Sequence, residues 1–399
     1  MTLQDNRQWK WSEIFVLLVM LSLYFGIFNI YVGFSVKLYM IVLGIGAIFS
    51  IKTLAFDKLL FFETLMIAFF MISIFSALQF RYPAEQLRFI VVVLILLSYY
   101  FIMRGTLVRL SIKKIETMIE ISGLIGISIS LVYYVLGIMQ VNMVFKGNGI
   151  QVLGALIDRQ APRLTGVAST DPNIFVLFVT LYFFYTFTHL NKFRNILGFI
   201  LTLSAIVLTF SRGGYVGIVL GAVLLLFIGK NYGKKIKIVM GVCIIVIIAY
   251  YFQNQLPINP FEQLENRFSS IGSDGGSGRN VLWANAWHTF TQHPLLGIGI
   301  NSTLSYSLDQ GELLARYIHN TYLEILSELG IVGFITYFSF CIMLLYTSLK
   351  LIKHKVYFFL PVFVALFVQM FFLSVEYNEM FYLCVVLLYR YAKEYKING

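Results

Sequence analysis

Charge is scarce in this chain. Only 12% of its 399 residues are Asp, Glu, Lys or Arg, where a soluble domain carries about a quarter. That shortage excludes a surface bathed wholly in water. Short alternating apolar segments are also lacking, which excludes a transmembrane β-barrel. The three cysteines, Cys243, Cys341 and Cys384, all lie inside apolar runs. They make no disulfide framework and no metal spacing such as CxxC. DxD, HExxH, a P-loop and G-x-S-x-G are absent. Nucleotide-sugar and ATP chemistry therefore have no support, and the expected cofactors and metals are none. No internal or inverted duplication of the kind many transporters carry is evident.

Apolar residues fill the space that charge leaves. The chain is 59% hydrophobic and 17% aromatic, with mean hydropathy +0.82. Runs of about twenty apolar residues recur, each long enough to cross about 30 Å of hydrocarbon. The pattern predicts an all-α polytopic membrane protein, one integral domain over 1–399. About twelve transmembrane helices are expected, at about 14–32, 34–51, 59–80, 84–103, 119–138, 174–190, 193–210, 215–229, 236–252, 321–349, 356–375 and 378–392. The last two are joined by a tight polar turn, Glu376 to Glu379. The first run follows a short polar start without a small-residue cleavage site, so it is expected to stay as a helix.

Net charge is +11. In a soluble protein that would suggest nucleic acid; here the membrane accounts for it, and no nucleic-acid partner is expected. Twelve spans put both termini on one side. Counting loops, that side holds 20 of the 30 Lys and Arg, mostly Lys. The positive-inside rule then places both termini in the cytoplasm. The outer set is Lys37, Arg81, Arg88, Lys146, Arg159, Arg163, Arg212, Arg267, Arg279 and Arg316, eight of ten being Arg. Arg suits bidentate recognition of phosphate or carboxylate, so an anionic ligand outside is expected.

Two outer segments are long, about 139–173 and 253–320, and long ordered loops are usually functional. In the second, Gly272 to Gly278 reads as a flexible turn, and Ser277 reads as the cap of a helix running from Arg279 to Pro294. Trp283, Trp287 and Phe290 then share one face, suited to a membrane interface or to stacking on a sugar. Arg212, in LTFSRGGY at 208–215, sits between two spans with almost no loop, so it should be paired or face a cavity. Arg279 follows glycines and opens a helix, a geometry that favours an anion. Arg163 precedes the sixth span. His189 and His354 read as solvated, and His288 and His293 lie on or next to the interfacial helix. His319 stands just outside the tenth span beside Arg316 and Asn320, where an imidazole can take up a proton at neutral pH. Glu324 and Glu328 lie four apart beneath it, as orienting groups, acceptor ligands or plain helix-end polar residues. Glu63, inside the third span, reads as a snorkelling or structurally paired carboxylate.

These pieces form an ordered series. RLTGVASTDPNIF at 163–175, FSRGGYVG at 210–217, GSGRNVLWANAWHTFTQHPLLGIGIN at 276–301 and IHNTYLEILSELGIVG at 318–333 resemble the O-antigen ligase and polysaccharide polymerase family. The resemblance covers about 160–350, so 163–350 is the expected catalytic core; the first five spans match only in hydropathy. It implies a multi-spanning glycosyltransferase (GT-C-like) fold with a large extracytoplasmic loop at 253–320, in the bacterial cytoplasmic (inner) membrane, and an extracytoplasmic site. It implies a donor, an oligosaccharide on undecaprenyl pyrophosphate, and a glycan acceptor, among membrane lipids and with a flippase and a chain-length regulator as partners. Carried over by motif, Arg212 and Arg279, with Arg163, would bind pyrophosphate. His319 would act as general base, with Asn320, Glu324 and Arg316 orienting it or the acceptor. Polymerisation of repeat units is the expected activity, with ligation to lipid A core or another acceptor as the alternative. A lipid-linked oligosaccharide flippase is the reading from another class.

Overall fold

A computed structural model of the protein describes residues 10–50, 58–79, 81–159, 161–228, 262, 265, 278–311 and 317–397. The expected span at 236–252, Cys243, Ser277 and Arg316 lie outside the described residues. The chain is mostly helical. It runs α1 (Trp11–Leu23), β1 (Asn29–Tyr31), β2 (Ser35–Lys37), α2 (Leu38–Ser50), α3 (Phe61–Ser76), α4 (Pro83–Leu107) and α5 (Ile112–Gln140). Then come β3 (Ile150–Val152), β4 (Ala155–Asp158), β5 (Ala161–Leu164), α6 (Pro172–Thr188), α7 (Phe193–Leu208) and α8 (Arg212–Phe227). The described remainder is α9 (Arg279–Gln292), α10 (Thr303–Asp309), α11 (Thr321–Ile352), α12 (Phe359–Gln369) and α13 (Glu379–Glu394).

Local chemistry sets many of these starts. Pro83 opens α4 and Pro172 opens α6, where a missing N–H costs nothing. The Asp171 side chain accepts from Asn173 N at the start of α6, and Asn378 accepts from two N–H groups at the start of α13. Four helical stretches are long and apolar enough to cross a membrane: Phe61–Gln79, α4, α5 and α11. Only 39–44% of each apolar window is buried in the protein. The rest, such as Val132, Leu94 and Ile335, faces outward, a surface that fits lipid and not water. This is a helical membrane protein.

Three expectations change. The first run does not continue to residue 32: α1 stops at Leu23, and β1 and β2 pair antiparallel, Ile30 opposite Val36. The fold is also not purely α, because β3, β4 and β5 form a three-stranded antiparallel meander within the segment 139–173. Backbone outside a helix must find partners elsewhere, and short ladders supply them. Third, the expected tight turn at Glu376 is a longer connector. Helix α12 ends at Gln369 and α13 begins at Glu379.

The centre of the bundle is α6 and α13. Every residue of α13 from Glu379 to Ala392 is buried. Helix α12 packs on α8 along a glycine seam: a Cβ on Gly217 would sit 2.7 Å from the Ala365 carbonyl oxygen, so only glycine allows the two backbones this close. Buried charges are pinned as the sequence reading of Glu63 requires. Its carboxylate takes Arg104 Nε at 2.6 Å and Tyr100 Oη at 2.9 Å, with side chains 0% and 2% exposed for Glu63 and Arg104. Arg390 is likewise buried and donates to the carbonyls of Leu107 and Leu110. Buried Glu120 takes Lys192, Arg194, Tyr185 and Asn195. Arg104, Arg390, Lys192 and Arg194, all on the side expected to be cytoplasmic, are therefore bound by the protein itself.

Removing one partner of a buried pair strands the other charge. Arg104→Met should cost about 3–5 kcal/mol of stability, seen as a lowered thermal midpoint in detergent. The double variant Glu63→Leu/Arg104→Met should recover most of it. Equal midpoints for wild type and Arg104→Met would mean the pair holds nothing.

Candidate functional site

The SRGG turn is built by its neighbours. Ser211 caps α8: its Oγ accepts from Gly214 N at 3.2 Å and donates to Asn173 Oδ1 at 2.7 Å. That leaves Arg212 as the first helical residue, half-buried. The sharp bend before it falls on Phe210, with φ +48, and not on the glycines. Gly213 serves close approach instead: a Cβ there would lie 2.6 Å from the Phe372 ring.

Arg163 stands behind this turn. It lies on β5, buried, and donates to the Thr209 carbonyl at 3.0 Å and to Asn173 Oδ1 at 3.2 Å, with Asp158 Oδ2 at 3.5 Å. Asn173 in turn donates from both nitrogens to Asp171 Oδ1. Arg163 thus braces the residues that aim Arg212.

Arg279 arrives from the other long segment. As expected it opens a helix, with Gly278 at φ +76 before it. Its guanidinium carbon sits 6.0 Å from the centre of the Phe372 ring, the same ring that meets Gly213. Burial pushes the Arg279 guanidinium below the ordinary arginine range; Asp171 opposes that shift and Arg212 adds to it. Arg279 thus feels one carboxylate, Asp171, and a second guanidinium, Arg212, and a further anion there would offset the cost of its burial.

His319 is half-buried with φ +53, an uncommon backbone for a non-glycine. Each side of it is held. The Ile318 carbonyl accepts from Trp283 Nε1 of α9 at 3.2 Å. Asn320 caps α11, its Oδ1 accepting from Tyr322 N and Leu323 N. Thr321 N donates to the carbonyls of Met370 and Leu373 at 2.9 and 2.8 Å, and its Oγ1 donates to Leu373 and accepts from Val375 N. The connector that carries Phe372 to the arginines is therefore the one that anchors the histidine's helix.

Helix α11 is not one span. Gly330 takes φ +63 and ψ −165, so a short polar half, Thr321 to Leu329, precedes the apolar half. The loop after Pro294 fills the break: Ile298 N and Gly299 N donate to the Ser327 and Glu328 carbonyls, and Ile331 N donates to Pro294. Broken helices at membrane depth are tolerated where protein or a cavity satisfies the freed backbone. A Cβ at Gly330 would meet the Leu295 carbonyl at 2.3 Å.

The two glutamates of this half-helix part company. Glu328 is structural: its carboxylate takes Asn301 N, Thr303 N and Thr303 Oγ1 at 2.8, 3.2 and 2.8 Å, starting α10. Glu324 faces a cavity lined also by Glu376, Glu379 and Lys37. Of the aromatic stripe, Trp283 turns inward to Ile318, whereas Trp287 is 53% exposed and pairs with Phe290 at 5.3 Å. The buried face of α9 is the adjacent Leu282, Ala286 and Thr289. His189 is half-buried and stacks on Tyr185, His354 stacks on Tyr395, and His293 meets the edge of Tyr306. Cys341 and Cys384 are buried thiols.

Sequence reasoning missed Asp171, Asn173, Phe372 and Glu376 as parts of the site. The first two stood in view within the DPN stretch, and Glu376 in the polar turn. Phe372 carries no sequence signal in a run of phenylalanines.

Residues 197–338 match the O-antigen ligase family. The matched O-antigen ligase segment holds Arg212, Arg279, Arg316, His319, Asn320 and Glu324, whereas Arg163 precedes it. A comparison with curated proteins gives no match.

Burial, with Glu328 adding, pushes the Glu376 carboxyl up to about 8. Its folded value lies above the ordinary carboxylate value of about 4.3, so the fold favours the neutral form. Stability should fall as pH rises from about 4 through about 8, with Glu324, Glu328, Glu379 and Lys37 facing the same space. Thermal melts in detergent at pH 6 and pH 9 should show the loss, and Glu376→Gln should flatten it. An unchanged slope in that variant assigns the pH dependence elsewhere.

Proposed function

We propose that this protein polymerises lipid-linked polysaccharide repeat units. It would transfer an oligosaccharide from undecaprenyl pyrophosphate to a sugar hydroxyl on the outer face of the bacterial cytoplasmic membrane. The observation that carries the reading is the shared connector: Phe372 meets Gly213 and Arg279, while Leu373 and Met370 hold Thr321 beside His319. A pyrophosphate site and a base would then sit on one scaffold. The proposed topology keeps twelve spans, cytoplasmic termini and a catalytic core over 163–350.

In this mechanism the acceptor hydroxyl oxygen attacks the anomeric carbon of the donor sugar. The bond from that carbon to the pyrophosphate oxygen breaks, and the hydroxyl proton passes to the His319 imidazole. Direct displacement inverts the anomeric configuration. Negative charge grows on the leaving undecaprenyl pyrophosphate, where Arg212 and Arg279 stabilise it. We propose that Arg163 supports them chiefly by holding Asn173 and Thr209, and that Asn320 fixes the backbone that presents His319. Arg316 remains a proposed acceptor-side group. The donor arrives already activated, so the reaction as written needs no cofactor.

Ligation is the second reading, favoured by the description of the matched family. A lipid-linked repeat unit given to the purified protein with no other acceptor should yield a ladder of products. Product formed only when a separate lipid acceptor is added would make the protein a ligase. Movement of intact glycolipid across vesicles without chemical change would make it a flippase.

Loss of Arg212 or Arg279 to Ala should slow transfer about 10²–10³-fold. His319→Ala should abolish transfer while leaving binding of the lipid-linked donor close to wild type. Full-length polymer from that variant would remove His319 from the base role.

A further inference from the structure

A cavity of about 220 Å³ opens beside the half-helix of α11. Four carboxylates line it: Glu324, Glu328, Glu376 and Glu379. Two of them are accounted for. Glu379 pairs with Lys37 at 2.6 Å, and Glu328 takes the N–H groups of Asn301 and Thr303. In each of the other two, one oxygen is open. Glu324 Oε2 and Glu376 Oε2 are buried with no hydrogen-bond partner among the described residues, in side chains of residues that are each 6% exposed. A buried polar oxygen left without a partner is costly, so the pair calls for hydrogen-bonding groups from whatever fills the space.

The surroundings narrow the class of occupant. Among the described residues, no group of three or more His, Cys, Asp or Glu is arranged to hold a metal ion. Apolar and aromatic surface from Phe89, Val92 and Tyr317 shares the walls with the carboxylates. Carboxylates beside aromatic surface suit a ring that carries hydroxyl donors on its edge and C–H groups on its faces. A volume of about 220 Å³ has room for one sugar ring. The position joins both halves of the site. Tyr317 is two residues from His319, and Ile174, also in the lining, adjoins Asn173, the brace of the SRGG turn.

We infer that this cavity binds one sugar ring of the acceptor glycan, its hydroxyls donating to Glu324 and Glu376. The inference rests on the transfer reading for the word acceptor, but sugar binding here is testable without turnover. Glu328 and the Glu379–Lys37 pair then act as the frame that keeps the two open carboxyls in place.

The test uses full-length protein in lipid nanodiscs. The probe is neutral oligosaccharide released by mild acid from the source cell's own surface polysaccharide, read by saturation-transfer NMR. Sugar signals should appear on wild type and on Arg279→Ala. They should weaken about tenfold or more on Glu324→Gln and on Glu376→Gln. Val92→Trp fills the space while leaving all four carboxyls, and it should give the same loss; it also stands in if a glutamine variant fails to fold, which thermal melts check. Equal signals on wild type and Val92→Trp, or none on wild type, overturn the cavity. A wild type that makes polymer but shows no sugar signal refutes this inference and leaves the transfer reading standing. A wild type that binds sugar through Glu324 yet never alters the glycolipid supports the sugar site and sinks the transfer reading.

Discussion

The hydrogen bonds of Thr321 hold this site together. Its N–H reaches the Met370 and Leu373 carbonyls, and its hydroxyl links Leu373 to Val375 N. Without them the connector between α12 and α13 would lose partners for the Met370 and Leu373 carbonyls and the Val375 N–H, and each buried orphaned group is expensive. With them, Phe372 is set between the SRGG turn and Arg279, and the histidine's half-helix is set beside it. One threonine at the start of a broken helix thus couples three segments that are far apart in sequence.

Electrostatics divides the site into two ends. At one end burial holds the Arg279 guanidinium below the ordinary arginine range, with Asp171 opposing and Arg212 adding to the shift. At the other, four carboxylates gather with Lys37 as the basic group among them. Neither arrangement is what folding stability alone would choose, since buried like charges are destabilising. Such local conflicts concentrate where ligands bind. A donor anion would relieve the basic end, and hydroxyl donors would relieve the acidic one.

Much of this was legible in the chain. Arg212 at a near-loopless turn, Arg279 at a helix start and His319 just ahead of an apolar run all stand where their neighbours implied. Glu63 has the buried partner that a carboxylate in an apolar run requires. What was not legible has a common cause. Hydropathy sums over a window, so it cannot see that the 321–349 run breaks at Gly330 or that the first run stops at Leu23. Glu324 and Glu328 both line one cavity, yet only Glu328 is tied to the start of α10, because its partners come from residues 301–303.

The sequence by itself determined the solvent, the helical class and the residue types of the site. Those follow from composition and from spacing along one chain, which need no partner to be read. Tertiary structure alone decided which guanidinium braces and which faces the shared ring, and which carboxyls remain without donors. Hydrogen bonding and burial depend on residues brought together from distant segments. For this protein those segments meet at the connector from Met370 to Asn378, a stretch whose own sequence says little more than that it is apolar and then polar.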